Sequence, residues 1–361
     1  MTFVSAATAL IERAPLPDAV VRAGISCLVE RTRRRLARPD AIDEAAFAAA
    51  MDAHPVAYHT EDANRQHYEL PPAYFGLVLG PHRKYSCCYY ATPDSTLADA
   101  EAAALERTCA NARLDNGQRI LELGCGWGSL SLWMAGHFPQ ARITSVSNSH
   151  SQRDYITRTA RERGYDNLEV VTADMNDFST GERFDRVVSV EMFEHMSNWH
   201  ALLGRIHRWL TPDGRLFVHV FTHRATPYRF EIDDREDWIA QHFFTGGIMP
   251  SHGLLRRFPD LFTLEQDWFW NGEHYRRTAL DWLARHDAAQ AEVMRLMRAI
   301  YGEADAALWF RRWRLFFLAT AGLFGHHGGT EWGVGHYLLR PNLQGSNLLG
   351  SNLLGSMSNL E

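Results

Sequence analysis

The sequence contains few cysteines and no apolar run long enough to cross a membrane. Its 361 residues include five cysteines, none in a Cys-x-x-Cys pair or in the His/Cys spacing of a metal site. An odd number of cysteines without such spacing is typical of a reducing compartment, so we expect a cytoplasmic protein without a bound metal. The most apolar run, Leu315 to Gly325, has about half the length of a membrane span and predicts a buried helix.

Neither sign of charge dominates, and a secretion signal is also missing. The 37 basic and 43 acidic side chains leave a formal charge of −6, which provides no general attraction to nucleic acid. The first residues lack the basic start and sustained apolar stretch of a signal peptide, because Glu12 and Arg13 interrupt them. We therefore expect a globular enzyme, without nucleic-acid binding, secretion or stable membrane insertion.

A helical pattern is present near the start of the chain. Apolar residues recur at helical spacing from Asp18 to Ala37, and arginines crowd the end of this stretch, where they favour a helix C-terminus. A basic helix can contact anionic lipid, although a solvated helix face is more common. Residues 39–72 are polar and mixed, and their first half is predicted to be helical.

Short buried strands and helices alternate from about residue 97 onward. The predicted strands cover residues 119–123, 141–147, 168–172, 184–190 and 215–221, and the predicted helices cover 129–137, 151–163 and 199–210. This alternation predicts an α/β fold with a doubly wound parallel sheet covered by helices on both faces. Such sheets bind ligands at the carboxyl ends of their strands.

The pattern changes after residue 225 and suggests four parts of the chain. Residues 1–95 are expected to form a helical N-terminal segment, to which the family resemblance described below adds the role of a lid over the ligand, and residues 96–225 the ligand-binding core. Residues 226–340 are expected to supply a helical, aromatic substrate cap and the final core strands. Residues 341–361, with a brief Gly-Ser-Asn-Leu-Leu repeat, predict a disordered tail.

Three glycines follow the first predicted strand in the segment Gly124-Cys125-Gly126-Trp127-Gly128. Their missing side chains allow the backbone to approach a ligand, which would then face the amides of the next helix. A dinucleotide is one candidate ligand, but this loop is shorter than the dinucleotide pattern. The second strand also ends in Ser147-Asn148, without an acidic residue for a ribose. A glycine turn without a ligand is the structural alternative.

The loop resembles the first motif of class I methyltransferases, which bind S-adenosylmethionine. The chain further resembles one subgroup, the cyclopropane fatty acid synthases and coclaurine-type N-methyltransferases, which also lack the acid on the second strand. The matching segments are 64–69, 84–90, 148–152 and 191–196, Glu-Met-Phe-Glu-His-Met. The resemblance implies a Rossmann-like methyltransferase sheet that binds S-adenosylmethionine through residues 96–225.

The same resemblance assigns cofactor contacts to residues after the first three strands and in the lid. Asp174 is expected to accept a hydrogen bond from the adenine amino group, unless it serves only as a helix cap. The full set of expected cofactor-binding residues is Tyr85, Ser86, Gly124, Gly126, Asn148, Gln152, Asp174 and Met175.

Glu191, Glu194 and His195 follow the fourth predicted strand and are expected at its ligand edge. Two carboxylates and an imidazole can attract an ammonium group and then accept its proton, and residues three apart share a helix face. In coclaurine-type N-methyltransferases the corresponding residues bind and deprotonate the amine. The resemblance therefore favours N-methylation of a small, aromatic or alkaloid-like amine. Capping of the next helix is the structural alternative.

The alternative function is cyclopropane synthesis on unsaturated phospholipid acyl chains. Cyclopropane synthases methylate an alkene and lose a proton to a bicarbonate held by four residues, to which Cys87, Glu194, His219 and Tyr275 correspond. N-methyltransferases keep similar residues, and His219 is equally compatible with a satisfied histidine inside a strand. Two features favour the amine. Glu191 is a second carboxylate that an alkene does not need, and the segments 243–251 and 271–275 resemble the N-methyltransferases more than the cyclopropane synthases.

Aromatic residues concentrate in one predicted helix near the end of the chain. Trp309, Phe310, Trp313, Phe316 and Phe317 are spaced so that several share one helix face, where they either hold a cationic amine or pack the core. A small-molecule amine is the expected partner, and the acceptor's identity and a possible homodimer stay open. A cofactor-binding protein without catalysis is the third interpretation.

Overall fold

The computed structural model describes residues 12, 14, 16–58, 70–230 and 238–342. The helices are α1 Asp18–Leu36, α2 Glu44–Ala50, α3 Pro72–Val78, α4 Leu97–Asn111, α5 Ser129–His137, α6 His150–Glu162, α7 Trp199–Trp209, α8 Trp238–His242, α9 Glu273–Ala288 and α10 Gln290–Phe324. The strands are β1 Arg119–Leu123, β2 Arg142–Ser147, β3 Leu168–Thr172, β4 Phe184–Val190, β5 Leu210–His223, β6 Tyr228–Arg229, β7 Ile248–Met249, β8 Phe262–Asn271 and β9 Trp332–Pro341.

A seven-stranded sheet with the order β3-β2-β1-β4-β5-β9-β8 forms the centre of the fold. The first five strands in this order pair in parallel. The doubly wound α/β architecture predicted from the alternating pattern is therefore confirmed. Because the chain leaves β1 toward β2 on one side and returns to β4 on the other, a crevice opens at the carboxyl ends of these strands.

The final core strands expected in residues 226–340 add an antiparallel edge to the sheet. Strand β9 runs antiparallel to β5, and β8 runs antiparallel to β9. Strand β5 extends beyond the predicted 215–221 to Leu210–His223, because it pairs with β4 from Leu210 opposite Phe184 and with β9 as far as His223 opposite Trp332. By contrast, β1, β3, β4 and α5 begin and end at the predicted residues.

The N-terminal helices pack against the C-terminal ones. In α1, Val21, Ile25 and Val29 form a buried stripe at helical spacing, and Ile25 lies against Gly322 of α10. At the basic end of α1, Arg33 and Arg34 hydrogen-bond to Glu30 on the same helix. Part of the basic charge at this end is therefore paired within the helix.

The aromatic helix α10 is a packing element. Gly302 interrupts it with a φ of 80°, so that two helical segments meet there. In the second segment Trp313 and Phe317 are buried, and the Trp313 ring centroid lies 5.1 Å from those of Tyr74 and Phe243. The segment therefore anchors α3 and the 238–250 region to the rest of the fold.

Several expectations concern residues beyond the described ranges. Segment 64–69 of the family resemblance lies outside them, and so do residues 343–361 of the predicted tail. Pro341, the first residue of that predicted tail, instead ends β9. In the described ranges, no helix has both the length and the apolar character that a membrane crossing requires.

Candidate active site

Two adjoining clefts open at the carboxyl ends of β1 to β4. The first spans about 730 Å³, including space open to solvent, and its lining includes Asn148, Gln152, Met175 and His195. The second spans about 550 Å³ on the same measure, and its lining includes Tyr85, Ser86 and Trp127. Gly124, Gly126 and Glu191 line both clefts. The clefts therefore adjoin along the glycine loop and the end of β4.

The glycine loop has the backbone geometry of a ligand-binding turn. Gly124, Gly126 and Gly128 all have positive φ angles, of 79°, 51° and 76°. A Cβ atom on Gly124 would lie 2.6 Å from Cγ of Met192, whereas a Cβ on Gly126 would meet nothing within 4 Å. Gly124 is thus required by close packing, and Gly126 leaves space toward the clefts.

Buried polar atoms without protein partners indicate that a polar ligand binds in the two clefts. Among the described residues, the indole Nε1 of Trp127, Oγ of Ser129 and Nε2 of Gln152 are buried without a hydrogen-bond partner. All three residues line one of the clefts. Since buried polar groups are nearly always hydrogen-bonded, a polar ligand such as S-adenosylmethionine fits this set of donors.

Asp174 lies beside the first cleft, which its neighbours Ala173 and Met175 line. One of its carboxylate oxygens accepts a hydrogen bond from the backbone N–H of Asn176 at 2.7 Å. This contact forms a turn between β3 and β4, and no helix begins in this described segment, so Asp174 does not cap a helix; its contact with adenine stays a prediction.

The carboxylate of Glu191 is the centre of a buried hydrogen-bond cluster. It accepts hydrogen bonds from the backbone N–H of Cys87 at 2.8 Å, from Nε2 of His219 at 3.1 Å and from the hydroxyl of Tyr275 at 2.7 Å. Glu191 itself follows β4 with a φ of 47°. Burial raises the pKa of Glu191, while the charge of Lys84 and the bonds from Tyr275 and Cys87 oppose that increase.

The structure corrects the expected arrangement of the two glutamates. Glu191, rather than Glu194, contacts Cys87, His219 and Tyr275. The two glutamates do not share a helix face, because Glu191 is left-handed and precedes the 3-10 turn Phe193–His195. Its side chain is thereby directed to β5, whereas Glu194 lies inside the turn.

Glu194 is buried behind the first cleft. Its side chain is absent from the cleft lining, and its Oε2 has no hydrogen-bond partner among the described residues. Burial and the negative charge of Glu191 raise the pKa of Glu194 well above its usual value. The two coupled carboxylates therefore favour a state in which one of them is protonated.

An arc of aromatic rings connects His195, on the first cleft, to Tyr275 beside Glu191. His195 stacks on Phe244 at 4.5 Å, Phe244 contacts Phe221 at 5.5 Å, Phe221 contacts Phe324 at 6.0 Å, and Phe324 stacks on Tyr275 at 4.4 Å. None of the five aromatic residues proposed from the sequence, 309–317, lines the two clefts. The rings of the arc come from five different parts of the chain, and its only member from α10 is Phe324, the last residue of that helix.

Lys84 is a site residue that was not predicted from the sequence. It is 2% exposed, and its Nζ donates to Oγ of Ser86 at 2.5 Å and to the carbonyl of Cys87 at 2.7 Å. Its positive charge lowers the pKa of both Glu191 and His219. A lysine in a mostly polar segment is expected on the surface, so only the matching segment 84–90 could have drawn attention to it.

Glu122 is a further buried carboxyl group, and it lines the second cleft. It accepts hydrogen bonds from the hydroxyls of Ser131 and Ser145. Burial raises its pKa to about 7, although both hydrogen bonds act in the opposite direction.

Comparison with known proteins gives consistent matches over most of the chain. Residues 57–327 match the family described as mycolic acid cyclopropane synthetase. The chain is 35% identical over 289 residues to (S)-coclaurine N-methyltransferase of Thalictrum flavum subsp. glaucum, which covers 79% of this chain and 80% of that protein. It is 30% identical over 233 residues to the cyclopropane-fatty-acyl-phospholipid synthase of Escherichia coli K12, and this match covers 63% of this chain and 57% of that protein.

A solved structure agrees with these matches. Coclaurine N-methyltransferase bound to N-methylheliamine and SAH superposes with a TM-score of 0.88 at 31% identity, covering 92% of this chain and 97% of the other. The enzyme class and the cofactor, S-adenosylmethionine, are thereby confirmed. The chain belongs to the family of S-adenosylmethionine-dependent methyltransferases that contains the cyclopropane synthases and the coclaurine-type N-methyltransferases.

Proposed function

We propose that the protein methylates the nitrogen of a small aromatic, alkaloid-like amine. The observation that carries this proposal is the position of the Glu191 carboxylate, which takes hydrogen bonds from Cys87, His219 and Tyr275. A fixed negative charge at this position suits an ammonium group. The similarity to proteins named coclaurine N-methyltransferase supports the same substrate class.

The same contacts argue against cyclopropane synthesis. That reaction uses a bound bicarbonate, and the donors that correspond to its binding residues already bond to Glu191. Because the Glu191 carboxylate already takes these donors, it occupies the role that the bicarbonate has in cyclopropane synthesis. An alkene also has no proton to lose before methyl transfer, so the coupled pair Glu191 and Glu194 would serve no purpose before the attack.

The acidic pair can prepare an amine for attack. The charge of Glu191, which lines both clefts, attracts the protonated amine, and the raised pKa of both carboxyl groups makes the coupled pair a stronger base than an ordinary carboxylate. The neutral nitrogen then has a free lone pair. S-adenosylmethionine supplies the electrophilic methyl group when it is bound. Holding both reactants in one place is expected to provide most of the remaining rate enhancement.

The ring arc from His195 to Tyr275 supports an aromatic or cationic acceptor. Phe221 and Phe324 are buried, and Phe244 is partly exposed beside His195. His195 is the member of the arc that lines the first cleft. Aromatic faces attract cations and stack on other rings, so an aromatic amine beside this ring is suited in both of its charge states.

The N-terminal segment is proposed to act as the lid. Ala57 and Tyr58 line the first cleft, and residues 83–86 line the second. Contributions from residues before 96 to both clefts support the domain division proposed from the sequence, in which residues 96–225 form the cofactor-binding core. We further propose a cytoplasmic location.

Bicarbonate dependence provides a test of this proposal. We expect the purified protein to methylate coclaurine or a similar aromatic amine equally well in bicarbonate-depleted and bicarbonate-supplemented buffer. Glu191→Gly, which empties the position of the carboxylate, should abolish this activity while S-adenosylmethionine binding is retained. Activity on unsaturated phospholipid that requires bicarbonate, with none on amines, would overturn the proposal.

A further inference from the structure

A chain of hydrogen bonds extends from the Glu191 carboxylate through two histidines to Asn111 at the end of α4. Nε2 of His219 lies 3.1 Å from Oε1 of Glu191. Nδ1 of His219 lies 2.7 Å from Nε2 of His336, and Nδ1 of His336 lies 3.0 Å from the side-chain nitrogen of Asn111. The two histidines are paired across β5 and β9, and both are fully buried.

The donor and acceptor roles along this chain are fixed by its two ends. Burial and the charge of Lys84 lower the pKa of His219 well below 6.5, and burial has the same effect on His336, so each neutral ring carries one N–H. An ionised carboxylate only accepts, so His219 carries its hydrogen on Nε2 and accepts on Nδ1. His336 must then donate from Nε2 and accept on Nδ1.

The other end of the chain agrees with this assignment. Nδ1 of His336, as an acceptor, requires a donor, and the Asn111 atom that faces it is the amide nitrogen. Every group from Asn111 to Glu191 therefore donates in the same direction. If His336 were reversed, the ring of His219 would present a lone pair to the Glu191 carboxylate, and the carboxylate would lose one of its three donors.

We propose that Asn111 and His336 are positioning residues, which hold His219 in the tautomer whose Nε2–H faces Glu191. Their role in turnover rests on the proposed function, because it acts through Glu191. Ordinary packing does not require this polarity. The indole of Trp270 lies 4.1 Å from the ring of His336 and would pack equally well against either tautomer.

Asn111→Asp is the variant that tests this proposal. Aspartate has nearly the same shape as asparagine, but an ionised carboxylate can only accept a hydrogen bond, so it favours a hydrogen on Nδ1 of His336. Asn111 is partly exposed at a helix end, where this change is tolerated better than in the core. Ring ¹⁵N chemical shifts of the protein without acceptor should show both histidines with Nε2–H in the wild type and Nδ1 protonation of His336 in the variant.

Kinetics should change together with the tautomer. We expect kcat for the amine to fall about tenfold or more in Asn111→Asp, which is the scale seen when a residue that orients an active-site histidine is lost. The KM for S-adenosylmethionine should stay within about twofold, because neither Asn111 nor His336 lines the two clefts. If Asn111→Asp does not fold, Asn111→Leu removes the donor without adding charge and should give mixed tautomers.

His336→Gln supplies a matched background for this test. A glutamine amide nitrogen can donate to Nδ1 of His219 without a partner at position 111, so Asn111→Asp should have little further effect in this background. An equal loss in both backgrounds would show that position 111 acts only through packing, and it would overturn the inference. Unchanged ring ¹⁵N shifts in Asn111→Asp would overturn it as well. The ring ¹⁵N shifts of the wild type and of Asn111→Asp are measured without an acceptor, so the tautomer assignment can be tested even if the amine proposal fails.

Discussion

Glu191 combines an unfavourable backbone with a favourable side-chain environment. A left-handed φ of 47° in a residue other than glycine costs about 1–3 kcal/mol. In this orientation the side chain receives hydrogen bonds from three donors, one each in the 84–90 segment, β5 and α9, and these bonds offset the cost. Strain of this kind persists where the surrounding structure fixes a residue for its function.

Removing the charge of Glu194 should impair turnover without weakening cofactor binding. Glu194→Gln keeps the shape of the side chain but removes the base, so kcat for an amine is expected to fall about 10²-fold or more. The defect should ease as the pH rises, because more of the amine is then already neutral. Steady-state kinetics from pH 7 to about pH 10 test the loss of turnover and its recovery. Calorimetry with S-adenosylmethionine tests whether cofactor binding is unchanged.

An alkene acceptor would respond differently to the same change. It has no proton to lose before it is methylated, so a higher pH would not restore its rate. Full amine activity of Glu194→Gln at neutral pH would contradict the assignment of Glu194 as part of the base.

Gly126→Val should prevent cofactor binding. A Cβ at this position points into open space toward the clefts, and the φ of 51° is strained for a branched residue. Calorimetry should detect no binding of S-adenosylmethionine or its demethylated product. Gly117→Val is a control with similar backbone strain away from the clefts, since Gly117 has a φ of 79° and open surroundings. Unchanged affinity in Gly126→Val would remove the loop from the cofactor site.

Glu122 should make the stability of the cofactor-free protein depend on pH. Its folded-state pKa of about 7 lies above the ordinary value of 4.5, so the folded protein retains a proton that the unfolded chain releases between these values. Stability therefore falls as the pH rises through this window.

The variant Glu122→Gln lacks this titration. Its free energy of unfolding, relative to the wild type, should increase from pH 4.5 to pH 7 by about 1.4 kcal/mol per unit of pKa difference. Urea titrations at both pH values measure this change. A constant difference between the two proteins would contradict the raised pKa.

Helix α10 stabilises the fold through its second half. Trp313 is fully buried among Tyr74, Phe75 and Phe243, so Trp313→Ala should lower the free energy of unfolding by about 3–5 kcal/mol. Trp309 is the matched control, because it is partly exposed and stacks on Tyr301 at 4.4 Å. Trp309→Ala should lower the free energy of unfolding by less than Trp313→Ala. Equal losses in urea unfolding would contradict the packing role assigned to Trp313.

Local patterns predicted the elements whose neighbours are close in sequence. The strand 119–123, its glycine loop and the helix 129–137 follow directly from a buried run, three glycines and an apolar stretch. The antiparallel pairing of β9 with β5 joins segments more than a hundred residues apart, and no local pattern encodes it.

Local patterns were equally unable to predict how the residues of the site contact one another. Glu191 and Glu194 were correctly expected after the fourth strand, but the left-handed turn at Glu191 decides which of them contacts His219, and periodicity does not reveal that turn. Asn111 and His336 meet only in the folded protein, because α4 packs beside the pairing of β5 and β9.

Among the described residues, early and late helices of the chain pack together beside the sheet. Helix α1 packs on α10, and Arg314 of α10 forms ion pairs with Asp18 of α1 and Asp287 of α9. Residues 83–86 line the second cleft from the N-terminal part of the chain, and Tyr275 from the C-terminal part hydrogen-bonds to Glu191, which lines both clefts. The site therefore depends on parts of the chain well outside the parallel sheet.

Identification of the methylated product is the most direct test of N-methylation. The purified protein is incubated with methyl-labelled S-adenosylmethionine and with separate panels of aromatic amines and unsaturated phospholipids, and labelled products are identified by mass spectrometry. We expect label on the nitrogen of an aromatic amine and none in lipid acyl chains, and Glu191→Gly should remove it. Label incorporated as a cyclopropane carbon in phospholipid, with no labelled amine, would contradict the account.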